Sequence, residues 1–201
     1  MDTKLQLFHT RYSCRNFKDE AIAKEDLNEI LEVARLSPSS LGLEPWEFLV
    51  VQQKNMKEEI SLIANNQIQV KNAAALIIII SKLDFAETFE EKIRSRIMSE
   101  EEKEKRITMY KPFLEKMNAE QKLAYSREQA HLALGGILYA ANFLQIASCT
   151  IGGFNKEELD SYLKLDTRKK RSSLLVALGK SADTHIPPKN RQSFDEVVRF
   201  I

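Results

Sequence analysis

Ala75-Leu76-Ile77-Ile78-Ile79-Ile80 is an uninterrupted apolar run that ends in consecutive β-branched residues. A run of this length fits a strand whose sheet is covered on both faces, since a half-exposed strand would alternate with polar residues. Even the longer apolar stretch from Ala73 to Ile80 is far too short to cross a bilayer as a helix. Upstream, Phe48-Leu49-Val50-Val51 reads as a second short buried strand, with a helix expected between the two. Downstream, Ser172 to Gly179 reads as a third.

Helical signals surround these strands. From Lys24 to Leu36, Leu27, Ile30, Leu31 and Ala34 recur at helical spacing, and Pro38 stops the helix. Ser126 and Gln129 have capping-box spacing at the head of a long apolar stretch to Ala147. Gly135-Gly136 within it predicts that another backbone comes very close, from a sheet or a partner's helix. Asn155 and Glu158 repeat the cap pattern for a helix through Leu163. The segment 84–122 is dense in charge, with Glu100-Glu101-Glu102-Lys103-Glu104-Lys105-Arg106 as its extreme, and reads as a solvated helical excursion held by ion pairs one turn apart. After Pro187-Pro188 the tail is expected to be extended at first.

Composition narrows the function. With 201 residues and 43% apolar content the chain can bury one sizeable core, so a single domain over 1–201 is expected. Thirty Lys and Arg against 29 acids give no reason to expect nucleic acid or an anionic membrane as partner. Cys14 and Cys149 read as packing residues in a reducing compartment. The opening Met1-Asp2-Thr3-Lys4 has no apolar region behind it, which predicts neither signal nor transit peptide and a cytoplasmic protein. No GxGxxG follows a strand and no glycine-rich loop ends in Lys-Ser or Lys-Thr. His9, His131 and His185 lack paired-ligand spacing for zinc, and His131 reads as a core or interface residue. No serine or cysteine carries a nucleophile signature, so hydrolysis through a covalent intermediate has little support.

What remains is a spaced set: Arg11-Tyr12-Ser13-Cys14-Arg15, then Ser37-Pro38-Ser39-Ser40 with Gly42 and Glu44-Pro45-Trp46, then Ile151-Gly152-Gly153-Phe154, then Lys189-Asn190-Arg191. Alone, each basic residue would read as a surface charge and Gly152-Gly153 as a plain turn. In this order the set resembles the flavin-binding frame of the nitroreductase family over nearly the whole chain. The resemblance implies an α+β fold, a central mostly antiparallel sheet surrounded by helices, with a C-terminal arm over 187–201 exchanged across a homodimer. It also implies FMN as cofactor and NAD(P)H as reductant.

By the same resemblance, Arg11, Ser13, Lys189 and Arg191 hold the phosphate and ribityl chain, a task suited to the guanidinium fork, and Tyr12 between them is also cofactor-binding. Arg15 lies beside N1 and the C2 carbonyl of the flavin, where a fixed cation raises its potential. Backbone at Ile151, Gly152 and Gly153 approaches N5, with Gly152 standing where relatives often carry an acid. Asn66 and Gln69 bind the pyrimidine edge. Pro38, Ser39, Ser40 and Gly42 form the loop given by the second subunit, Gly42 replacing an asparagine of several relatives. Trp46 reads as a core aromatic. The excursion overhangs the pocket, placing Tyr110 and Phe113 near substrate. The tail apolar residues Phe194, Val197, Val198, Phe200 and Ile201 fit an arm on the partner, and read equally as a last helix of the same subunit. The implied activity is ping-pong hydride transfer from NAD(P)H through flavin N5 to nitroaromatic, quinone or flavin-like acceptors. Dehalogenation, dehydrogenation or flavin breakdown on the same fold, and a non-catalytic flavin-binding or interaction protein, stay open as alternatives.

Overall fold

The computed structural model describes residues 5–201; the opening Met1-Asp2-Thr3-Lys4 lies outside the described residues. Four strands form one antiparallel sheet in the order β1-β2-β4-β3: β1 Trp46–Val51, β2 Ala75–Lys82, β3 Ala147–Ile151 and β4 Lys170–Gly179. The isoleucine run is central, paired on both edges and buried from Ala75 to Ser81. Its alternate side chains supply two cores, because successive strand residues point to opposite faces. Leu76, Ile78 and Ile80 pack with Val51, Cys149, Leu175 and Ala177 under the helices α3 Lys54–Ile63, α4 Ile68–Asn72 and α8 Lys156–Tyr162. Ala75, Ile77 and Ile79 pack with Val176 and Leu178 against α2 Lys24–Arg35 and α7 Ala119–Phe143. Each such isoleucine contributes about 1.5–3 kcal/mol on leaving water. Covering on both faces is therefore achieved by an antiparallel sheet.

The helix expected after Lys24 spans α2, and Asn155 caps α8 by accepting from Glu158 N–H at 3.2 Å. Between β1 and β2 stand two helices, α3 and α4, in place of one. The long helix α7 begins eight residues before the expected cap: Asn118 and Gln121 form the reciprocal capping box, at 2.9 Å each way. Ser126 and Gln129 lie inside it, buried, and bond other segments. Helix α7 also stops at Phe143, and Gln145 turns the chain with a positive φ of 57°, so Ala147 opens β3. That strand was hidden because Ile146 to Ile151 continues the apolar pattern of the helix without a break in composition.

Gly136 is closely approached, though mainly by side chains at the end of α2 in the same chain rather than by a sheet or a partner's helix: a Cβ there would lie 3.0 Å from Ser37 Oγ and 3.2 Å from Val33 Cγ1, with the Val33 carbonyl at 3.7 Å. Gly135 is not, having nothing of its own chain within 4 Å. The charged excursion folds into α5 Phe85–Arg94 and α6 Glu100–Glu115, laced by Glu90–Arg94 and Glu102–Arg106 pairs one turn apart. Its own small core contains Phe85, Phe89, Ile93, Ile107 and Leu114. His131 is exposed, its Nδ1 2.7 Å from Arg127 O, so it is not a core residue of this chain. Trp46 is buried and packs 6.3 Å from Phe48 between ring centroids. The remaining helices are α1 Gln6–Thr10 and α9 Phe194–Val197. The latter is a single short turn whose Phe194 and Val197 are exposed, as are Phe200 and Ile201.

Candidate active site

After α1, the chain from Arg11 runs extended along the free edge of β3. Ser13 bridges Ser148 in parallel, Cys14 N–H donates to Ser148 O at 3.0 Å, and Phe17 pairs with Ser181. The two segments either side of β4's end thus form one seam. The tail returns to it: Lys189 Nζ donates to the carbonyl oxygens of Phe8 (2.5 Å) and Arg11 (2.7 Å). Arg11, Tyr12, Ser13, Arg15, Lys189 and Arg191 consequently line one open groove of about 340 Å³, with Pro187 and Pro188 as its wall.

None of Arg11, Arg15, Lys189 and Arg191 forms a salt bridge among the described residues. The Lys189 ammonium is held below the usual lysine range, first by burial and then by the positive charges of Arg11 and Arg191. Like charges this close create a standing demand for an anion. Burial pushes the Cys149 thiol up, against the pull of Arg15 and Arg11. Tyr12 turns its side chain away from this cluster. Its hydroxyl lies 2.6 Å from Ser181 Oγ and 3.0 Å from Asp183 Oδ2, and burial raises its pKa to about 12. Tyr12 therefore meets the groove while its phenol locks the seam.

The turn Gly152-Gly153 follows β3 directly. Neither glycine has a positive φ, and a Cβ on Gly153 would meet nothing within 4 Å. The fold itself does not demand glycine at 153; open space above the turn is what a bulkier residue would fill. Ile151, by contrast, is buried in the core. The amide-rich stretch before β2 does reach this turn, through neighbours of the expected residues. Asn65 Nδ2 (3.0 Å) and Gln67 Nε2 (2.8 Å) both donate to Gly153 O. Gln69 is buried and donates to Gln67 Oε1 at 2.8 Å. Asn66 faces a different groove, beside Asn55 and Leu62. Asn65 and Asn66 both take positive φ (57° and 56°), a conformation asparagine tolerates, and that double turn decides which amide points inward. Sequence spacing alone could find the amide run, and not its register.

Pro38, Ser39, Ser40 and Gly42 lie elsewhere on the chain, in no common groove with Arg11 or Lys189 among the described residues. The loop is tightly held. Ser39 Oγ accepts from Glu44 N–H (2.9 Å), Ser40 N–H donates to Gln129 Oε1 (2.7 Å), and Tyr125 O–H donates to Ser40 Oγ (2.6 Å). Gly42 has φ 61°, and Arg96 donates to the carbonyls of Leu41 (3.1 Å) and Gly42 (2.6 Å). A Cβ at position 42 would sit 2.5 Å from Arg96 Nη2. Tyr110 packs against the small core of the excursion, and Phe113 is exposed on the same helix.

The chain is thus an antiparallel sheet sheathed in helices on both faces, with a cationic seam joining residues 11–15 to residues 187–191. The sequence pattern described as the nitroreductase family matches residues 9–180, and the chain belongs to that family. A Haemophilus influenzae protein named provisionally as an NAD(P)H nitroreductase is 32% identical, covering 98% of this chain and 96% of its own length. A nitroreductase family protein from Streptococcus pneumoniae superposes with a TM-score of 0.87 at 26% identity, covering 99% of this chain and 100% of its own. A provisionally named nitroreductase from Exiguobacterium sibiricum, solved in complex with FMN, superposes with a TM-score of 0.88 at 22% identity, over 98% and 96% of the two chains.

Proposed function

We propose that the chain is an FMN-dependent oxidoreductase that works as a homodimer of one-domain subunits in the cytoplasm and uses NAD(P)H as reductant. The observation that carries this reading is the groove shared by four cations, Arg11, Arg15, Lys189 and Arg191, none of them salt-bridged among the described residues. An FMN phosphate, near charge −2, answers that demand. When bound, FMN would supply the redox chemistry, hydride transfer from NAD(P)H to a nitroaromatic, quinone or flavin-like acceptor by the ping-pong scheme in one pocket.

The chain's own residues bind and orient. Arg11, Lys189 and Arg191 meet the phosphate, with Ser13 as a hydroxyl donor to the ribityl side. Arg15, which cannot lose its charge, supplies a fixed cation where negative charge accumulates on reduction. Gly152 and Gly153 let backbone approach the ring, and the amides around Asn66 and Gln69 serve its pyrimidine edge. Pro38, Ser39, Ser40 and Gly42 complete the partner's site, and Tyr110 and Phe113 contact the acceptor. Support for the dimer comes from apolar surface without cover in one chain: Leu132 and Phe143 on α7, and Phe194, Val197, Phe200 and Ile201 in the tail.

The absorption spectrum of the purified protein, followed by anaerobic NAD(P)H and then a quinone or nitro compound, tests the reading. A yellow protein that bleaches and recovers its colour supports it. Protein that stays colourless after reconstitution with FMN overturns it.

A further inference from the structure

Two adjacent glycines give the turn after β3 its open face at the cost of definition, because glycine restricts its own backbone least. The structure restores that definition from outside. Lys156 Nζ donates to Gly152 O at 3.2 Å and lies 4.7 Å from the Phe154 ring centre. Asn65 and Gln67 converge on Gly153 O, with Gln67 held in turn by the buried Gln69. Three side-chain donors thus reach two consecutive carbonyls. A trans peptide is planar, so fixing each C=O fixes the N–H on its opposite side. The amides so fixed are those of Gly153 and Phe154, and neither has an acceptor among the described residues. Asn155 N–H, donating to Ile63 O at 3.1 Å, ties the next residue to α3.

The geometry points to Lys156, Asn65 and Gln67 as positioning residues that aim the Gly153 and Phe154 amides at the flavin edge, with Lys156 adding positive charge through the Gly152 peptide. This rests on the FMN reading above. A cation on the carbonyl side polarises the peptide and strengthens its N–H as a donor to a ring that gains negative charge on reduction. No other titratable side chain bonds this turn among the described residues.

Lys156→Met, Lys156→Arg and Asn65→Ala/Gln67→Ala test the inference. In FMN-loaded protein, Lys156→Met and the double variant are expected to lower the affinity for reduced relative to oxidised FMN about three- to tenfold, read from the midpoint potential. Lys156→Arg is expected to restore it. Wild-type potentials in both former variants would overturn the inference while leaving the FMN reading intact. Order parameters from ¹⁵N relaxation at the Gly153 and Phe154 amides, measured without flavin, give an independent readout. They are expected to be those of rigid backbone in wild type and to fall in the double variant; unchanged values there overturn the positioning role even if the protein never binds FMN.

Discussion

The Lys189 ammonium donates to the main-chain carbonyl of Arg11 at 2.7 Å, joining positions 178 residues apart in sequence. The bond leaves the Arg11 guanidinium itself unspent and fixes the backbone from which it projects. Reversing its charge should repel a phosphate from the groove. Arg11→Glu is expected to purify without FMN and to resist reconstitution; a fully yellow variant removes Arg11 from the site.

Arg15 shares the groove with a different task. Arg15→Ala is expected to keep part of its FMN and to show a lowered midpoint potential, because the fixed charge favouring the reduced state is gone. Potentiometric titration with a reference dye measures it, and an unchanged potential discards the role.

The two glycines of α7 should behave differently. Gly136→Leu drives a side chain into Val33 and Ser37 and is expected to cost about 1–3 kcal/mol in urea unfolding. Gly135 lies on the stripe with exposed Leu132 and Phe143, which stand about three helical turns apart. Gly135→Leu is expected to leave the core intact and shift the protein toward monomer in sedimentation velocity. A variant as dimeric as wild type would take this stripe out of the interface.

Much of this was legible beforehand. The isoleucine run specified a doubly covered strand because no polar residue interrupts it, and the order of the basic motifs pointed to a flavoprotein. Less legible were features decided by a single turn. Strand β3 is separated from α7 only by the positive φ of Gln145, and the inward amides are Asn65 and Gln67 because two consecutive asparagines turn left-handed. Residues that brace the glycine turn and the Ser40–Gly42 bend, such as Lys156 and Tyr125 on helices and Arg96 in the loop after α5, carry no motif; they are ordinary polar types until the fold brings them to a carbonyl or hydroxyl.

Asp160 is one of these, a buried carboxylate that accepts from Arg171 Nε at 2.6 Å and Ser172 N–H at 2.7 Å. It secures α8, and with it the turn, to β4. Removing it leaves Arg171 with the exposed Glu157, at 3.2 Å, as its remaining acid, beside Arg127, whose Nε is buried without a partner among the described residues and whose guanidinium is already held low by burial and by Arg171. Asp160→Ala is expected to cost about 1–3 kcal/mol in urea unfolding, chiefly because the buried Ser172 N–H loses its acceptor. A loss under about 1 kcal/mol would show the ion pair to be dispensable.

Tyr12 gives the pH dependence. Its folded pKa of about 12 lies above the ordinary 10, chiefly through burial. Below pH 10 both folded and unfolded chains keep the proton, so its contribution is intact; from pH 10 to about 12 the unfolded chain releases it first and stability falls. Tyr12→Phe is expected to flatten that part of the stability profile and to remove one late-ionising phenol from an absorbance titration. An unaltered alkaline slope would detach Tyr12 from it.

Gly42 and Arg96 make a single choice between them. The guanidinium occupies the volume into which any side chain at 42 would grow, and the left-handed backbone there excludes most residues besides glycine and asparagine. Installing asparagine at 42 therefore displaces the Arg96 guanidinium and loosens the clasp that ties the Leu41–Gly42 bend to the loop between α5 and α6. A side chain at 42 is thus coupled to the pose of the Arg96 guanidinium, which must swing aside to admit it.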